Sequence, residues 1–123
     1  MKREIKFRAF LNSKYYEKPR MLSWEELLEQ YDAIDMFQRD MMTLMQYTGL
    51  HDKNGREVYE GDVLDIGLRD QDGKPVIAPV SYETYAAGYV LDNGGNGIWQ
   101  RLTEDCEVIG NIFENPKLLE GKQ

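Results

Sequence analysis

Four carboxylates in one short stretch are the first residues of the chain whose types could do chemistry. Glu57, Glu60, Asp62 and Asp65 lie close together in sequence, and carboxylate oxygens are the usual ligands of hard cations such as Ca²⁺. Side chains alternate along a strand, so Asp62 and Asp65 are expected on opposite faces. We therefore expect a tight turn around Gly61 here rather than a metal site.

A second acidic motif, residues 70–73, shares with calcium loops only a closely spaced pair of carboxylates, Asp70 and Asp72, before a glycine. It lacks the remaining ligands and the glutamate that closes such a loop. The motif is interpreted as a turn, and no metal-ligating or cofactor-binding residue is assigned.

His51 and Cys106 are the only histidine and the only cysteine of the chain. A histidine beside an aspartate, as in His51-Asp52, can act as a general base, but no spacing in the sequence supplies a nucleophile for it. Cys106 lies between Asp105 and Glu107, whose negative charges disfavour a reactive thiolate. One histidine and one cysteine cannot form a conventional structural zinc site, and no catalytic residue is assigned.

The glycine-rich stretch 93–97 and the segment after it are candidates for nucleotide or nucleic-acid contacts. A phosphate-binding loop requires a following helix, whereas residues 98–101 are typical of a strand. Trp99 and Arg101 can share one exposed face, as in platforms on which bases stack. The acidic residues within 104–107 weaken this interpretation.

The chain is acidic overall, but its charge is unevenly distributed. A net charge of −7 at pH 7 repels a phosphate backbone at long range. Residues 1–20 nevertheless carry seven basic and two acidic side chains, whereas residues 48–123 carry seven and fourteen. The basic segment is interpreted either as an edge strand whose charge prevents aggregation or as an arm that docks on an acidic surface of a sister subunit.

Membrane insertion and secretion are not expected from the sequence. No apolar run approaches the roughly 18 residues of a membrane span, and the N-terminus lacks the apolar core of a signal peptide. A single cysteine excludes an intrachain disulfide. We expect a soluble intracellular protein.

The first 47 residues are expected to form an α+β segment. Alternation in residues 4–10 predicts a half-buried strand. Ser23 and Glu26 have the spacing of a capping box, which predicts a short helix with an inner face formed by Leu27, Leu28 and Tyr31. Residues 32–40 fit neither the helical nor the strand period, and the nearby methionines at 36, 41, 42 and 45 are expected to fill the core.

Residues 48–123 are interpreted as short strands and turns, which is typical of a small barrel or sandwich. Asn54-Gly55 predicts a type I′ hairpin turn, because both residues tolerate a positive φ. Pro79 predicts that its strand, residues 76–85, lies at an edge or carries a bulge. The apolar residues expected in the core of the whole chain are Ile5, Phe7, Leu27, Leu44, Tyr47, Val58, Val63, Val90, Ile98, Val108, Ile109 and Ile112.

Three further stretches stand out: REIKFRAF at 3–10, LMQYTGLHDKNGREVYEGDVL at 44–64 and VIGNIFENPKLL at 108–119. In them the sequence resembles the YopX-like family of proteins encoded by phages and prophages. The resemblance implies an SH3-like β-barrel in the C-terminal part, association of identical chains and life in an infected bacterium. It implies no catalytic residue. Residues 13–40 and 68–99 match no family pattern, and we expect any specificity to lie there.

The sequence thus predicts a mostly β, α+β protein with an N-terminal α+β segment (1–47) and a small SH3-like β-barrel domain (48–123). The predicted function is that of a non-enzymatic, phage- or prophage-encoded, self-associating protein-interaction module in the cytoplasm of the bacterial host. The expected partners are further copies of the chain, in a homo-oligomer, and a host or phage protein; no cofactor and no membrane are expected. A nucleic-acid-binding small-barrel protein is the alternative, although the charge disfavours it, and an enzyme is a third hypothesis.

Overall fold

A computed structural model describes residues 4–83, 88–92, 99–101 and 105–119. The chain forms two compact units, Met1–Tyr47 and Thr48–Gln123. Strands dominate and form two antiparallel sheets, one of which is a half-barrel. The mostly β, α+β fold class predicted from the sequence is confirmed.

The N-terminal unit contains the strands β1 (Phe7–Leu11) and β2 (Met21–Leu22), the helices α1 (Trp24–Glu29) and α2 (Ala33–Gln38), and the first part of β3 (Met42–His51). β1 pairs antiparallel with β2 on one side and with β3 on the other. The helices bury apolar side chains against these strands, and the predicted role of the methionines in the core is confirmed for three of the four. The buried residues of this core are Ala9, Leu11, Leu22, Leu27, Met36 and Met42, and Met45 is also buried.

The second unit takes the rest of β3 and six further strands. These are β4 (Glu57–Tyr59), β5 (Asp62–Arg69), β6 (Pro75–Glu83), β7 (Gly88–Asp92), β8 (Trp99–Arg101) and β9 (Glu107–Asn111), followed by a 3-10 helix (Pro116–Leu119). A five-stranded sheet has the order β8-β7-β6-β5-β9. The core of the second unit consists of Val58, Leu64, Ala78, Val80, Leu91, Cys106 and Val108.

The prediction that the strand containing Pro79 is an edge strand is wrong, because β6 lies inside the five-stranded sheet. Pro79 itself pairs with Val63 of β5 and, among the described residues, with none of β7, so its own position is locally an edge. Proline is tolerated here because β6 changes partner at this point. Its residues up to Pro79 pair with β5, and the pairing with β7 begins at Val80. Each half of β6 therefore has one paired neighbour. The nitrogen of Pro79, which has no hydrogen to donate, can face the side without a paired strand.

The predicted type I′ turn at Asn54-Gly55 is also wrong. Gly55 has a positive φ of 84°, but among the described non-glycine residues a positive φ occurs at Asp40 and not at Asn54. The Gly55 N–H donates to the carbonyl of Asp52 at 3.0 Å, and the Asp52 N–H donates to the carbonyl of Arg56 at 2.8 Å. This is a three-residue loop in which a type I turn precedes a left-handed glycine.

Three predicted core residues, Ile5, Ile109 and Ile112, are exposed. Ile5 precedes the first residue of β1, and Ile112 follows the last residue of β9. Ile109 is the extra residue of a β-bulge, because Val63 pairs with Gly110 and Leu64 with Val108. Ile98 lies outside the described residues. Phe7 and Leu44 are half-buried against the core, and the other predicted core residues are buried: Leu27, Tyr47, Val58, Val63, Val90 and Val108.

Candidate functional site

A groove of about 310 Å³ opens on the N-terminal unit, between the two helices and the strands β1 and β3. We call it the helix groove. All of its lining residues are apolar, and six of the nine belong to the stretch 24–37. They are Phe7, Trp24, Leu27, Leu28, Ala33, Ile34, Phe37, Met42 and Leu44.

Several side chains of the helix groove are in contact with solvent to an unusual degree. Leu28 is 66 % exposed, Ile34 76 % and Phe37 47 %, and the neighbouring Tyr31 is 98 % exposed. Single exposed apolar residues are common, but a contiguous group of large ones marks a binding surface on a soluble protein. The helix groove is therefore a surface suited to receive an apolar partner.

The local structure of α1 explains why Leu28 faces the groove opening. The predicted capping box is present: the Glu26 N–H donates to Ser23 Oγ, and the Ser23 N–H donates to the Glu26 carboxylate. The helix has only six residues, and successive residues of a helix are rotated by about 100°. When Leu27 is buried against the strands, Leu28 must turn away from them, so the prediction of Leu28 on an inner face is wrong.

The end of α2 fixes the far side of the groove. Asp40 has a φ of 58°, its N–H donates to the carbonyl of Phe37 at 3.1 Å, and the Met41 N–H donates to the carbonyl of Met36 at 2.9 Å. These two bonds form a Schellman motif, with aspartate in the position usually taken by glycine. The motif ends the helix at Gln38 and turns the chain towards β3.

The helices that border the groove are acidic. Glu26 pairs with Arg20 at 2.7 Å and Asp35 with Arg39 at 3.1 Å. The hydrogen bond from Arg20 is the main reason why the pKa of Glu26 is lowered. No salt bridge to Glu25, Glu29 or Asp32 is found among the described residues. The groove thus combines an apolar floor with negative charge on both helices.

The acidic residues that could bind a cation do not come together. Within the described chain, no three His, Cys, Asp or Glu side chains are placed so that they could hold a metal ion. Asp62 is buried, and its carboxylate accepts the Tyr59 N–H at 2.8 Å across the turn at Gly61, whose φ is 83°. Asp65 accepts the Gly67 N–H at 2.9 Å. These carboxylates stabilise turns.

The other residues considered for chemistry lie apart from one another. His51 is the exposed last residue of β3, and Cys106 is buried in the core of the second unit. The backbone at Trp99 and Arg101 forms β8 as predicted, but the side chains of these two residues lie outside the description. The glycine-rich stretch 93–97 also lies outside it.

The sequence marks Asp52 only as the neighbour of His51. It is buried, and its carboxylate accepts N–H groups from Asn54, Arg56 and Val108 at 2.9, 2.8 and 2.9 Å. Burial by itself raises the pKa of Asp52, but the three backbone hydrogen bonds and the nearby charge of Arg56 outweigh it and lower the pKa. Because the carboxylate of Asp52 accepts three backbone N–H groups, its role is to stabilise the structure.

A different signal could have revealed the helix groove. The helical segments 24–29 and 33–38 are each too short to bury two apolar rows, yet they contain Leu27, Leu28, Ile34, Met36 and Phe37. A six-residue helix can turn only one narrow face to the core, so an excess of apolar residues predicts a second, exposed face.

Comparison with known proteins identifies a family and a similar solved structure. Residues 6–120 match the family model described as YopX protein. A similar solved structure is that of protein EF1440 from Enterococcus faecalis, with a TM-score of 0.51, 21 % sequence identity and coverage of 95 % of this chain and 99 % of that chain. A search of curated proteins finds no match. No helix in the described residues is long and apolar enough to cross a membrane.

Proposed function

The chain belongs to the YopX family, and on that premise we propose that it is a non-enzymatic protein-interaction module that associates with a second copy of itself through the helix groove. We further propose that it is encoded by a phage or prophage and works in the bacterial cytoplasm. The observation that carries the proposal is the exposed apolar lining of the groove, above all Leu28, Ile34 and Phe37.

The energy available at this surface fits an association. Burying one Leu, Ile or Phe side chain contributes about 1.5–3 kcal/mol, so the three exposed side chains together can contribute several kcal/mol. Association itself costs roughly 4–15 kcal/mol in lost freedom of motion. The apolar lining alone supports a weak complex, and a stable one requires further contacts, for which charge is the available source.

The distribution of charge favours another copy of the chain as the occupant. The helices of the groove are acidic, whereas residues 1–20 carry seven basic and two acidic side chains. One copy therefore presents the negative surface and another can present the positive one. Complementary charge steers two surfaces together and fixes their register.

The non-enzymatic part of the proposal is supported by how the buried acids are used. Asp52 and Asp62, which are the buried carboxylates of the described residues, accept backbone N–H groups that fix a loop and a turn. The groove itself is lined by apolar side chains. Such a surface suits binding rather than proton transfer or nucleophilic attack.

Light scattering with a matched pair of variants tests the proposal. Leu28→Asp places a charge in the groove, and Leu68→Asp makes the same change at a leucine that is 57 % exposed on β5. We expect the intact chain to form oligomers at tens of micromolar, Leu28→Asp to be a monomer of about 14.4 kDa, and Leu68→Asp to behave as the intact chain. An intact chain that is monomeric, or an equal effect of both variants, would contradict the proposal.

A gel shift with duplex DNA tests the nucleic-acid alternative in the same preparation. We expect no shift at physiological salt, because the chain carries a net charge of −7 and phosphate contacts require clustered cations. A shift that weakens as salt increases would favour the alternative over self-association.

A further inference from the structure

Resting on the proposed function, we propose that the part of the second copy that occupies the helix groove is its basic N-terminal segment, residues 1–5, Met-Lys-Arg-Glu-Ile. We call this segment the arm. Two copies exchange arms, so that the arm of each lies in the helix groove of the other.

The groove requires an occupant with both apolar and positive side chains. Its lining is apolar, and Glu25, Glu29 and Asp32 on its helices have no salt bridge to a described residue. An uncharged apolar segment would cover the floor but leave these carboxylates beside a surface that has lost its water. A segment with two cations and one large aliphatic side chain satisfies both requirements.

The arm has this composition. Lys2 and Arg3 supply the cations, and Ile5, which lies before the start of β1, supplies an aliphatic side chain that is 60 % exposed. The next cation is already engaged, since Lys6 Nζ lies 3.5 Å from Glu4 and 4.9 Å from the centre of the Tyr47 ring. The Tyr47 N–H also donates to the carbonyl of Lys6. The chain is therefore anchored at Lys6, and the arm is the segment before this anchor.

Direct contact between two helix grooves is the competing arrangement, and electrostatics distinguishes it. If the grooves faced each other, the acidic helices of both copies would meet, and added salt would strengthen the dimer by screening their repulsion. In arm exchange, opposite charges meet, and added salt weakens the dimer. The two arrangements thus predict salt effects of opposite sign.

Reciprocal exchange also explains how the assembly stays finite. A segment that enters the groove of the next copy in one direction only produces open chains of molecules. When two copies exchange the same segment, a two-fold axis relates them and all binding sites are filled. Each dimer then contains two equivalent arm contacts, which strengthen each other because the second forms within one complex.

A complementation experiment tests the exchange directly. One variant lacks residues 1–5 but keeps its groove, and the other is Leu28→Asp, which keeps its arm. Sedimentation velocity is measured for each variant alone and for their mixture, with a dye on the C-terminal residue of the Leu28→Asp chain, after circular dichroism has shown that both variants fold. We expect each variant alone to be monomeric and the labelled chain to sediment as a dimer when the armless variant is added.

Two other results would overturn the inference, and they differ in what they leave standing. If the armless variant alone dimerises like the intact chain, the arm is not the occupant, whereas self-association through the groove stands. If Leu28→Asp alone dimerises like the intact chain, the groove is not the interface and both proposals fail.

Charge reversal supplies the second measurement. Lys2→Glu combined with Arg3→Glu reverses both cations of the arm, and Lys14→Glu combined with Lys18→Glu makes the same change at exposed lysines elsewhere in the unit. We expect the arm variant to weaken dimerisation about ten-fold at 50 mM salt and about two-fold or less at 500 mM. An effect of the control pair as large as that of the arm pair, or a dimer strengthened by salt, would contradict arm exchange.

Discussion

Two hairpin loops of the second unit share an aspartate and a glycine at equivalent positions and have different surroundings. Residues 52–56 read Asp-Lys-Asn-Gly-Arg, and residues 70–74 read Asp-Gln-Asp-Gly-Lys. In both, the aspartate carboxylate accepts the N–H groups two and four positions later, at 2.8–3.0 Å. In both, the glycine N–H donates to the aspartate carbonyl at 3.0 Å. The two loops are the same local structure.

They differ in what the aspartate touches beyond its own loop. Asp70 is exposed, whereas Asp52 is 5 % exposed and its second carboxylate oxygen accepts the N–H of Val108 on β9 at 2.9 Å. The Lys53 N–H also donates to the carbonyl of Cys106. The comparison teaches that the sequence of a loop determines its shape, whereas the neighbouring strand determines how much it contributes to stability.

Removing each aspartate should give the largest difference between the loops. Asp52→Ala leaves three backbone N–H groups without their acceptor, one of them in the buried β9, and we expect the free energy of unfolding to fall by about 3 kcal/mol. Asp70→Ala affects N–H groups that water can reach and should cost about 0.5–1 kcal/mol. Urea denaturation of both variants measures the difference, and equal losses would show that the contact with β9 adds nothing.

Replacing each glycine should instead give the same result in both loops. Gly55 and Gly73 have φ values of 84° and 79°, and an added Cβ would meet no atom within 4 Å at either position. Valine is strained at such a φ, so Gly55→Val and Gly73→Val should each lower the free energy of unfolding by about 1–3 kcal/mol. Thermal denaturation checks this. Losses that differ by more than about 1 kcal/mol would mean that the strain is not local.

The acid dependence of stability should separate the loops again. The pKa of Asp52 is lowered from its usual 3.8 in the folded chain. Its contribution is therefore present above that value and is lost as the pH falls through the lower folded pKa. We expect Asp52→Asn to flatten the decrease of unfolding free energy between about pH 5 and pH 2, and Asp70→Asn to leave most of it in place. If the unfolding free energy of Asp52→Asn still decreased steeply in this pH range, groups other than Asp52 would be responsible for the decrease.

The smallest effect is expected at the third residue of the first loop. Asn54 Nδ2 donates to Glu107 at 3.2 Å in an exposed position. Asn54→Ala should therefore cost about 0.5 kcal/mol or less, as should Asp72→Ala in the other loop, apart from any change in turn preference. Chemical denaturation at low salt is the most sensitive measurement. A loss above about 1 kcal/mol for Asn54→Ala would show that the side chain, and not only Asp52, fastens the loop to β9.

Several features that depend on neighbouring residues in sequence could be predicted, although the type of turn at Asn54-Gly55 could not, and the features that depend on distant residues could not. The Ser23–Glu26 capping box, the turn at Gly61 and the mostly β fold class follow from local patterns. The bulge at Ile109 and the burial of Asp52 depend on how β5 and β9 pair, which no local pattern specifies. The sequence predicts Leu28 on the inner face of its helix because it is apolar, although the buried side of this six-residue helix is taken by Leu27.

The stretch 13–40 carries none of the three motifs on which the resemblance rests, although the family model spans residues 6–120, and it contains six of the nine residues of the helix groove. An expectation that specificity lies in this stretch therefore remains compatible with the proposed site. Six of the groove residues thus lie outside the three motifs on which the resemblance rests, whereas Phe7 and Leu44 lie within them.

The bond between Asp52 and Val108 has a consequence for the order of events in folding. It joins residues 56 positions apart, whereas the bonds within the loop join residues two and four apart. Closing a long segment of chain is slow relative to closing a turn, so the loop can adopt its shape early and meet β9 only when the sheet is nearly complete. A contact formed after the rate-limiting step holds back unfolding without accelerating folding. Asp52 is therefore expected to lower the unfolding rate of the second unit while leaving its folding rate nearly unchanged.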